Sequence, residues 1–271
     1  MSTPQEKAAH ELLAFYAEAG VDALIGEEAV DRFADAAEPA PAPVVPRPAA
    51  ERASLSATRL ETRAPAAAPL PPDTAAMAAR EAAKSARTLE ELRDILATFE
   101  GCELRKGANK LVFADGNPQA RVMFVGEAPG RDEDLEGLPF VGRSGKLLDL
   151  MLKAIELDRR GAYIANIIPW RPPGNRTPTP QESQICLPFI QRQIELANPD
   201  ILVSLGGPSA QTLLGVRDGI LKTRGRWFTY NTGTREIRAI ATLHPAYLLR
   251  QPLQKRLAWR DFLAIKKALS A

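Results

Sequence analysis

Residues 121–142 read RVMFVGEAPGRDEDLEGLPFVG, and the predicted fold grows outward from this stretch. After one arginine comes an apolar run that ends in glycine, which is typical of a buried strand. A Gly/Pro turn follows, and four acidic side chains then crowd into residues 132–136, ahead of the aromatic Phe140. Because like charges this close repel one another, the acidic turn indicates a special role rather than an ordinary helix start.

Apolar runs and helical periods alternate after this stretch. We predict strands over 162–168, 201–205, 227–230 and 236–243, and helices over 146–157, 180–197 and 257–269. Strands that alternate with helices favour an α/β fold, in which helices cover a largely parallel sheet. In such a sheet, ligands bind at the carboxyl ends of the strands.

The chain changes in composition before this body begins. Apolar residues recur at helical spacing in residues 1–38, which predicts an N-terminal helical segment. Residues 39–73 hold nine prolines, so we expect a Pro/Ala-rich, disordered linker without a packed core. An Ala-, Glu- and Arg-rich helix is predicted over 74–98, with Thr88 starting a capping box. This helix leads into the folded domain, residues 74–271.

Composition and charge exclude several classes of protein. No apolar run reaches the roughly 18 residues of a membrane span, and the polar N-terminus is unlike a secretory signal. Two cysteines are too few for a disulfide framework, which favours a reducing, cytoplasmic location. Residues 1–100 hold 10 basic and 17 acidic residues (net −7), whereas residues 101–271 hold 25 and 16 (net +9). The basic part favours a polyanionic partner, although uneven surface charge without a partner would look the same.

Four irregular segments follow the predicted strands: GEAPGRDED, NIIPWRPPGNR, LGGPS and TLHPAYLLR. Together they hold glycine, proline and polar residues rather than a regular apolar pattern. Because the carboxyl ends of parallel strands meet at one edge of a sheet, we expect Glu127, Asn166, Gly206–Gly207 and His244 to converge there.

The motifs in these segments resemble those of family 4 of the uracil-DNA glycosylase superfamily. The match runs from GEAPG-x-x-ED-x-x-G-x-PFVGR through RPP-x-NR to HPAYLLR, and it covers about residues 98–269. The resemblance implies a three-layer fold with a central, mostly parallel four-stranded sheet. It also implies a hydrolase of base-excision repair that flips uracil out of DNA and cleaves its N-glycosidic bond, leaving an abasic site. Uracil-containing DNA would be the partner, and a monomer is the default expectation.

The resemblance implies roles for residues that bind the base. Phe140 would stack on the flipped uracil, and Asn166 would pair with its N3/O4 edge and reject cytosine. His244 would donate a hydrogen bond to uracil O2 as negative charge develops there. Ala128, in the uracil-binding site, stands where the best-known uracil glycosylases carry an aspartate, so water activation would be arranged differently. A core Phe, a turn-capping Asn and a strand-end His are the structural alternatives.

Glu127 and Glu133 would line the pocket as catalytic residues by the same resemblance. They could hold the attacking water and stabilise the cationic sugar, or Glu133 could exclude the 5-methyl group of thymine. The remaining acids are expected in solvent or as caps of the following turn: Asp132, Asp134 and Glu136. A helix-capping role for the whole acidic cluster stays open.

DNA contacts are expected from three of the segments. The resemblance implies that HPAYLLR enters the minor groove as a wedge and fills the vacated stack, although an ordinary helix start would look alike. Backbone N–H groups, hydroxyls and guanidinium groups would bind phosphates. The predicted DNA-binding residues are Arg171, Asn175, Arg176, Gly206, Gly207, Ser209, Tyr247, Leu248, Leu249 and Arg250.

The cysteine pattern departs from the family. Family 4 members hold a four-iron cluster on four cysteines, and only Cys102 and Cys186 remain here at the cluster positions. Phe99 and Trp170 stand where the other two cysteines are expected. Because cluster binding normally takes four thiolates, we predict no iron–sulfur cluster and no other cofactor, with the two aromatic side chains filling the volume. Iron that bridges two subunits is the alternative.

Other functions stay open at this point. The chain could bind uracil or abasic sites in DNA without turnover, or retain its product, or act on another deaminated base. The N-terminal segment could tether a repair or replication protein, or could be a solvated appendage.

Overall fold

The computed structural model describes residues 72–270, and the expectations for residues 1–71 lie outside that range and stay predictions. The elements are α1 (Pro72–Ser85), α2 (Leu89–Thr98), α3 (Leu104–Gly107), β1 (Asp115–Gly116), β2 (Val122–Gly126), α4 (Arg131–Glu136), α5 (Arg143–Ala154), β3 (Tyr163–Asn166), α6 (Pro180–Ala197), β4 (Ile201–Leu205), α7 (Gly207–Leu214), α8 (Ile220–Thr223), β5 (Trp227–Asn231), β6 (Glu236–Thr242), α9 (Pro245–Arg250) and α10 (Lys255–Leu269). Short 3₁₀ turns lie at Arg159–Gly161, Pro173–Asn175 and Pro252–Gln254. None of the helices in this range is long and apolar enough to span a membrane.

The strands form one six-stranded sheet in the order β1-β3-β2-β4-β6-β5. The four central strands are parallel, which confirms the predicted four-stranded core. The two edge strands, β1 and β5, are antiparallel to their neighbours. The sequence predicts β5 but not β1, because β1 is two residues long and pairs through its backbone, without an apolar run to signal it.

Helices cover both faces of the sheet, as the three-layer fold requires. On one face, α1, α2 and α6 contribute to a core that contains Val125 and Leu202. On the other face, α5 and α10 enclose Phe124 and Val203, and the ring of Phe124 stacks on Phe262 with the centroids 5.9 Å apart. Successive residues of β2 and β4 therefore enter opposite cores, which is why both strands read as continuous apolar runs.

The single helix predicted over 74–98 is two helices, α1 and α2. The hydroxyl of Thr88 accepts the N–H of Glu91 at 3.2 Å and caps α2. The carboxylate of Glu91 accepts the N–H of Arg87 at 2.6 Å, so the return bond falls one residue before the cap. A side-chain cap satisfies N–H groups that have no partner within a helix, so Thr88 marks a new helix start.

Backbone bonds continue past the ends of the central strands and set the starting points of the four irregular segments. Ile167 donates its N–H to the carbonyl of Gly126, and Ile168 donates to Glu127, both at 3.0 Å. Gly206 donates to the carbonyl of Thr242 at 2.8 Å, which joins the ends of β4 and β6. The segments therefore leave one edge of the sheet side by side.

Candidate active site

A cavity of about 590 Å³ opens at this edge of the sheet. Residues from all four irregular segments line it, and they include Glu127, Asn166, Gly206–Gly207 and His244. The structure therefore brings together the side chains that follow separate strands in the sequence. The other predicted base-site and catalytic residues, Ala128, Glu133 and Phe140, also line this cavity.

Gly126, at the end of β2, makes room for the base-site residues. A Cβ atom at this position would lie 2.4 Å from Asn166 Oδ1 and 2.7 Å from Phe140 Cζ, so any larger residue would displace one of them. Asn166 is 5% exposed, and its Oδ1 has no hydrogen-bond partner among the described residues. Because a buried polar atom without a partner is costly, this oxygen indicates a place for the donor group of a ligand.

The aromatic wall of the cavity comes from Phe140. Its side chain is buried, and its ring lies 5.5 Å from the imidazole of His244 at an interplanar angle of 32°. The backbone of Phe140 has a φ of 55°, in the left-handed region that costs a residue with a Cβ about 1–2 kcal/mol. The surrounding contacts must therefore hold this conformation.

His244 caps α9 and is a neutral hydrogen-bond donor toward the cavity. Its Nδ1 accepts the N–H of Ala246 at 3.1 Å, so the ring proton of the neutral form lies on Nε2. Burial, with the nearby positive charge of Arg250, lowers the pKa of His244 to about 4. Gly206 has a φ of 94°, and a Cβ there would lie 3.0 Å from the Cβ of His244. The glycine thus allows the turn that follows β4 to lie close to the His244 side chain.

Glu127 reaches the cavity as a half-buried carboxylate. It makes no side-chain hydrogen bond or ion pair with another residue in the described part of the chain. Burial raises the pKa of Glu127 above its ordinary value. A desolvated carboxylate without protein partners is available to a water molecule or to a developing positive charge.

Glu133 also borders the cavity, but its carboxylate is engaged by the backbone. Oε1 accepts the N–H groups of Val141 and Gly142, both at 3.0 Å, and Oε2 accepts the N–H of Gly130 at 3.1 Å. These bonds tie the turn before α4 to the loop that carries Phe140. This is a positioning role, and the water-holding and thymine-excluding roles of Glu133 stay predictions.

The other acidic residues of the turn have different environments. Asp134 is buried, and it accepts the N–H of Asn109 at 2.8 Å, the amide of Asn109 at 2.6 Å and the N–H of Lys110 at 3.3 Å. The expectation that Asp134 lies in solvent or caps the following turn is therefore wrong, because it anchors a distant loop. Asp132 and Glu136 are exposed, as expected.

The RPPGNR loop brings two of its three predicted DNA-binding residues to the cavity, Asn175 and Arg176. Arg171 lies outside the lining and donates from Nε to Asn175 Oδ1 at 2.7 Å. The guanidinium of Arg176 pairs with both oxygens of Glu182, at 2.9 and 2.6 Å, and this pair lowers the pKa of Glu182. Hydrogen bonds within the loop and to Glu182 of α6 thus hold the loop in place.

Two of the residues predicted to contact DNA are buried in the structure. Ser209 is fully buried, and its hydroxyl donates to the carbonyl of Val125 at 2.7 Å, so it binds the sheet rather than a phosphate. Leu248 is 1% exposed and packs in an apolar cluster, so it is not part of an inserted wedge. Around it, Tyr247 and Leu249 are half-buried and Arg250 is exposed, and both Tyr247 and Arg250 line the cavity.

Some residues that line the cavity are not predicted from the sequence motifs. Ser144, Thr177 and Pro178 contribute to its wall. Thr177 and Pro178 directly follow the predicted Arg176, whereas Ser144 lies four residues after Phe140.

The two cysteines lie together in the core, away from the cavity lining. Their Sγ atoms are 3.9 Å apart, and both side chains are buried. Contact with Cys102 and burial raise the pKa of the Cys186 thiol well above its usual value. Phe99 packs edge-on against Phe189 with the ring centroids 5.0 Å apart, and Trp170 is buried in the same core. Two thiols among aromatic rings do not match the four thiolates that a four-iron cluster needs.

The family model of the uracil DNA glycosylase superfamily matches residues 113–263, which is more than half of the chain. The chain belongs to this superfamily. Its relatives include the type-4 uracil-DNA glycosylase of Archaeoglobus fulgidus, 39% identical over 184 residues, which are 65% of this chain and 92% of the relative. The type-4 uracil-DNA glycosylase of Thermotoga maritima is 40% identical over 168 residues, 60% of this chain and 86% of the relative. That of Saccharolobus solfataricus is 38% identical over 188 residues, with coverages of 68% and 87%.

We expect the substitution Glu133→Gln to lower the free energy of unfolding by about 1–3 kcal/mol. The reason is that glutamine replaces one carboxylate oxygen with an NH₂ group. This group is a donor, so it cannot accept the backbone N–H that the carboxylate oxygen accepts in wild type. Urea unfolding of both proteins measures the difference. Exposed Asp132 is the matched control, and Asp132→Asn should change the stability by less than about 0.5 kcal/mol. Equal losses in the two variants would contradict the positioning role of Glu133.

We expect His244 to make stability depend on pH between about 6.5 and 4. In this window the unfolded chain binds a proton at His244 while the folded protein, with its pKa of about 4, does not. This contribution to stability is fully present above the pKa that His244 has in the unfolded chain. It is lost as the pH falls through the pKa that His244 has in the folded protein. The free energy of unfolding of wild type, relative to His244→Gln, should therefore decrease steadily from pH 7 to pH 4. A constant difference over this range would show that burial does not lower the pKa of the imidazole.

Proposed function

We propose that this protein is a uracil-DNA glycosylase, which hydrolyses the N-glycosidic bond of uracil in DNA and leaves an abasic site. The observation that carries the proposal is the buried, unpartnered Oδ1 of Asn166 in a cavity that also holds the neutral imidazole of His244. Membership of the superfamily and the similarity to type-4 uracil-DNA glycosylases support it.

The base site suits uracil for chemical reasons. The amide of Asn166 accepts the N3–H of uracil with Oδ1 and donates to O4 with Nδ2. Cytosine presents an acceptor and a donor in the reverse order, so it would leave buried polar groups unpaired, and such mismatches support strong discrimination. The ring of Phe140 stacks on the base, and stacking on an aromatic side chain is worth about 1–3 kcal/mol. Ala128 completes the wall beside the base.

Catalysis follows from where charge develops. As the bond between C1′ and N1 breaks, uracil gains negative charge and the sugar becomes an oxocarbenium ion. His244 donates from Nε2 to uracil O2, and a preorganised donor of this kind contributes about 2.7–4 kcal/mol. Glu127 stabilises the cationic sugar and orients the water that adds to C1′. A proton from that water neutralises the departing base, so the products are uracil and an abasic site.

DNA is held by groups around the mouth of the cavity. Phosphates bind to backbone N–H groups and side chains, which position the duplex and carry no sequence information. Tyr247, Leu249 and Arg250 form the wedge that replaces the flipped nucleotide, with buried Leu248 anchoring α9 beneath them. The remaining phosphate contacts come from Arg171, Asn175, Arg176, Gly206 and Gly207.

A glycosylase assay on the full chain tests this function. Single- and double-stranded DNA with one uracil is incubated with wild type, Asn166→Asp and His244→Ala, and abasic sites are cleaved with alkali. We expect wild type to release uracil, and we expect His244→Ala to lose about 10²–10³ in kcat because it lacks the donor to O2. Asn166→Asp should lose activity on uracil because its carboxylate cannot donate to O4.

Two outcomes of this assay would contradict the proposal. Tight binding of uracil-containing or abasic DNA by wild type, without release of the base, would indicate a binding protein. If the same assay is run on DNA that carries hypoxanthine or xanthine in place of uracil, faster release of that base would indicate a glycosylase of different specificity. Wild-type activity that survives in His244→Ala would remove the imidazole from the mechanism.

We also propose that this glycosylase works without an iron–sulfur cluster. Support comes from the aromatic residues Phe99 and Trp170 at two cluster positions and from the 3.9 Å contact between the two remaining thiols. The core that includes these rings takes over the role of holding α2 and α6 together.

Iron analysis tests the cluster proposal. Protein purified without oxygen should contain far less than one iron atom per chain and show no absorption band near 400 nm. The double variant Cys102→Ser/Cys186→Ser should release uracil at the wild-type rate. Stoichiometric iron in wild type, lost in the double variant, would instead support a cluster shared between two subunits.

A further inference from the structure

The position of the Phe140 ring depends on its backbone. Phe140 is one of few residues other than glycine with a positive φ, 55°, and this conformation turns its ring over Gly126 and toward His244. Gly145, in the first turn of α5, lies so close that a Cβ there would be 1.7 Å from the carbonyl oxygen of Phe140. That carbonyl is therefore enclosed on the side of α5.

The guanidinium of Arg159 approaches the same carbonyl from a 3₁₀ turn nearly twenty residues away in sequence. Nη2 donates to the carbonyl oxygen of Phe140, and Nη1 donates to that of Pro139 at 3.1 Å. The peptide groups immediately before and after Phe140 are thus held by one side chain. A guanidinium is planar and presents its donors in a rigid fork, so it fixes two carbonyls in a way that a single ammonium group cannot.

Arg159 is itself held by two carboxylates. Nη1 also pairs with Asp115, and Nε donates to Asp149 Oδ1 at 2.9 Å, with Nη2 3.4 Å from Asp149 Oδ2. All five N–H donors of the guanidinium therefore have an acceptor, and the Arg159 side chain is only 24% exposed. Asp115 belongs to the short edge strand β1, and Asp149 to α5. The arginine is thus tied to two separate elements of the scaffold.

We infer that Arg159 is a positioning residue for the uracil stack: it acts through the backbone of Phe140 and does not touch the base. This inference rests on the proposed uracil excision and deepens it. Without the guanidinium, the two carbonyls lose their donors and the left-handed conformation of Phe140 loses its support. The ring then samples other orientations, and the flipped base loses part of its stacking energy. Arg159 lies outside every motif of the sequence and does not line the cavity.

A mutant cycle between Arg159 and Phe140 tests the inference in the full chain. The variants are Arg159→Met, Arg159→Lys, Phe140→Ala and the double variant Arg159→Met/Phe140→Ala. The neighbouring Arg160 is the matched control, because its side chain is 93% exposed and, within residues 72–270, pairs only with Asp158. Uracil release is measured as kcat and KM, together with inhibition by free uracil and the unfolding temperature.

We expect Arg159→Met to lower kcat/KM about tenfold, which corresponds to a fraction of the stacking energy of one base. Inhibition by free uracil should weaken by a similar factor, because the stack also holds the product. Arg159→Lys should recover little, since one ammonium group cannot bind both carbonyls. The double variant should be within about twofold of Phe140→Ala, because residues that act as a unit are not additive. Arg160→Met should match wild type.

The outcomes separate the inference from its alternatives. Full kcat/KM in Arg159→Met, with a lower unfolding temperature, would show that Arg159 serves stability alone and would overturn the inference. Additive losses in the double variant would show that Arg159 acts independently of Phe140 and would overturn it too. If Arg159→Met does not fold, the Arg159→Lys cycle with Phe140→Ala decides in the same way. A wild-type protein that releases no uracil would instead contradict the proposed function.

Discussion

The absence of a side chain at Gly126 is the constraint on which the site depends. The parallel strands β2 and β3 end together, and only a glycine at the end of β2 leaves room for Asn166 and Phe140 to approach within a few ångströms of each other. An amide and an aromatic ring then line one cavity. The imidazole of His244 completes this cavity from the end of β6, across the turn at Gly206.

The acidic residues between β2 and α5 occupy different environments in the folded protein. The carboxylates of Glu133 and Asp134 accept hydrogen bonds from backbone and amide N–H groups, which balance their negative charges. Glu133 joins the loops on either side of α4, and Asp134 holds the distant loop at Asn109. Asp132 and Glu136 remain in water. Of these acids, Glu127 faces the cavity without a hydrogen-bond partner in the described part of the chain. The repulsion that the sequence suggests is therefore relieved by distributing the charges among different environments.

The core around the two cysteines is packed with apolar side chains. Phe99 and Trp170 are large side chains that belong to the same core as helices α2 and α6, and they contribute buried apolar area. Two thiols in van der Waals contact remain beside them. The cavity is lined by residues of the strand ends and glycine turns, and neither cysteine is among them.

Patterns in the amino-acid sequence predicted the α/β class, the four parallel strands and the segments that reach the cavity, because apolar periodicity and Gly/Pro turns are local properties of the chain. The same patterns could not distinguish a buried Ser209 or Leu248 from exposed ones, since burial depends on which neighbour packs against a helix. They also could not identify Arg159, whose partners lie 10 to 44 residues away. Contacts between distant segments are decided only in the tertiary structure, where one guanidinium can satisfy four groups that no sequence motif links.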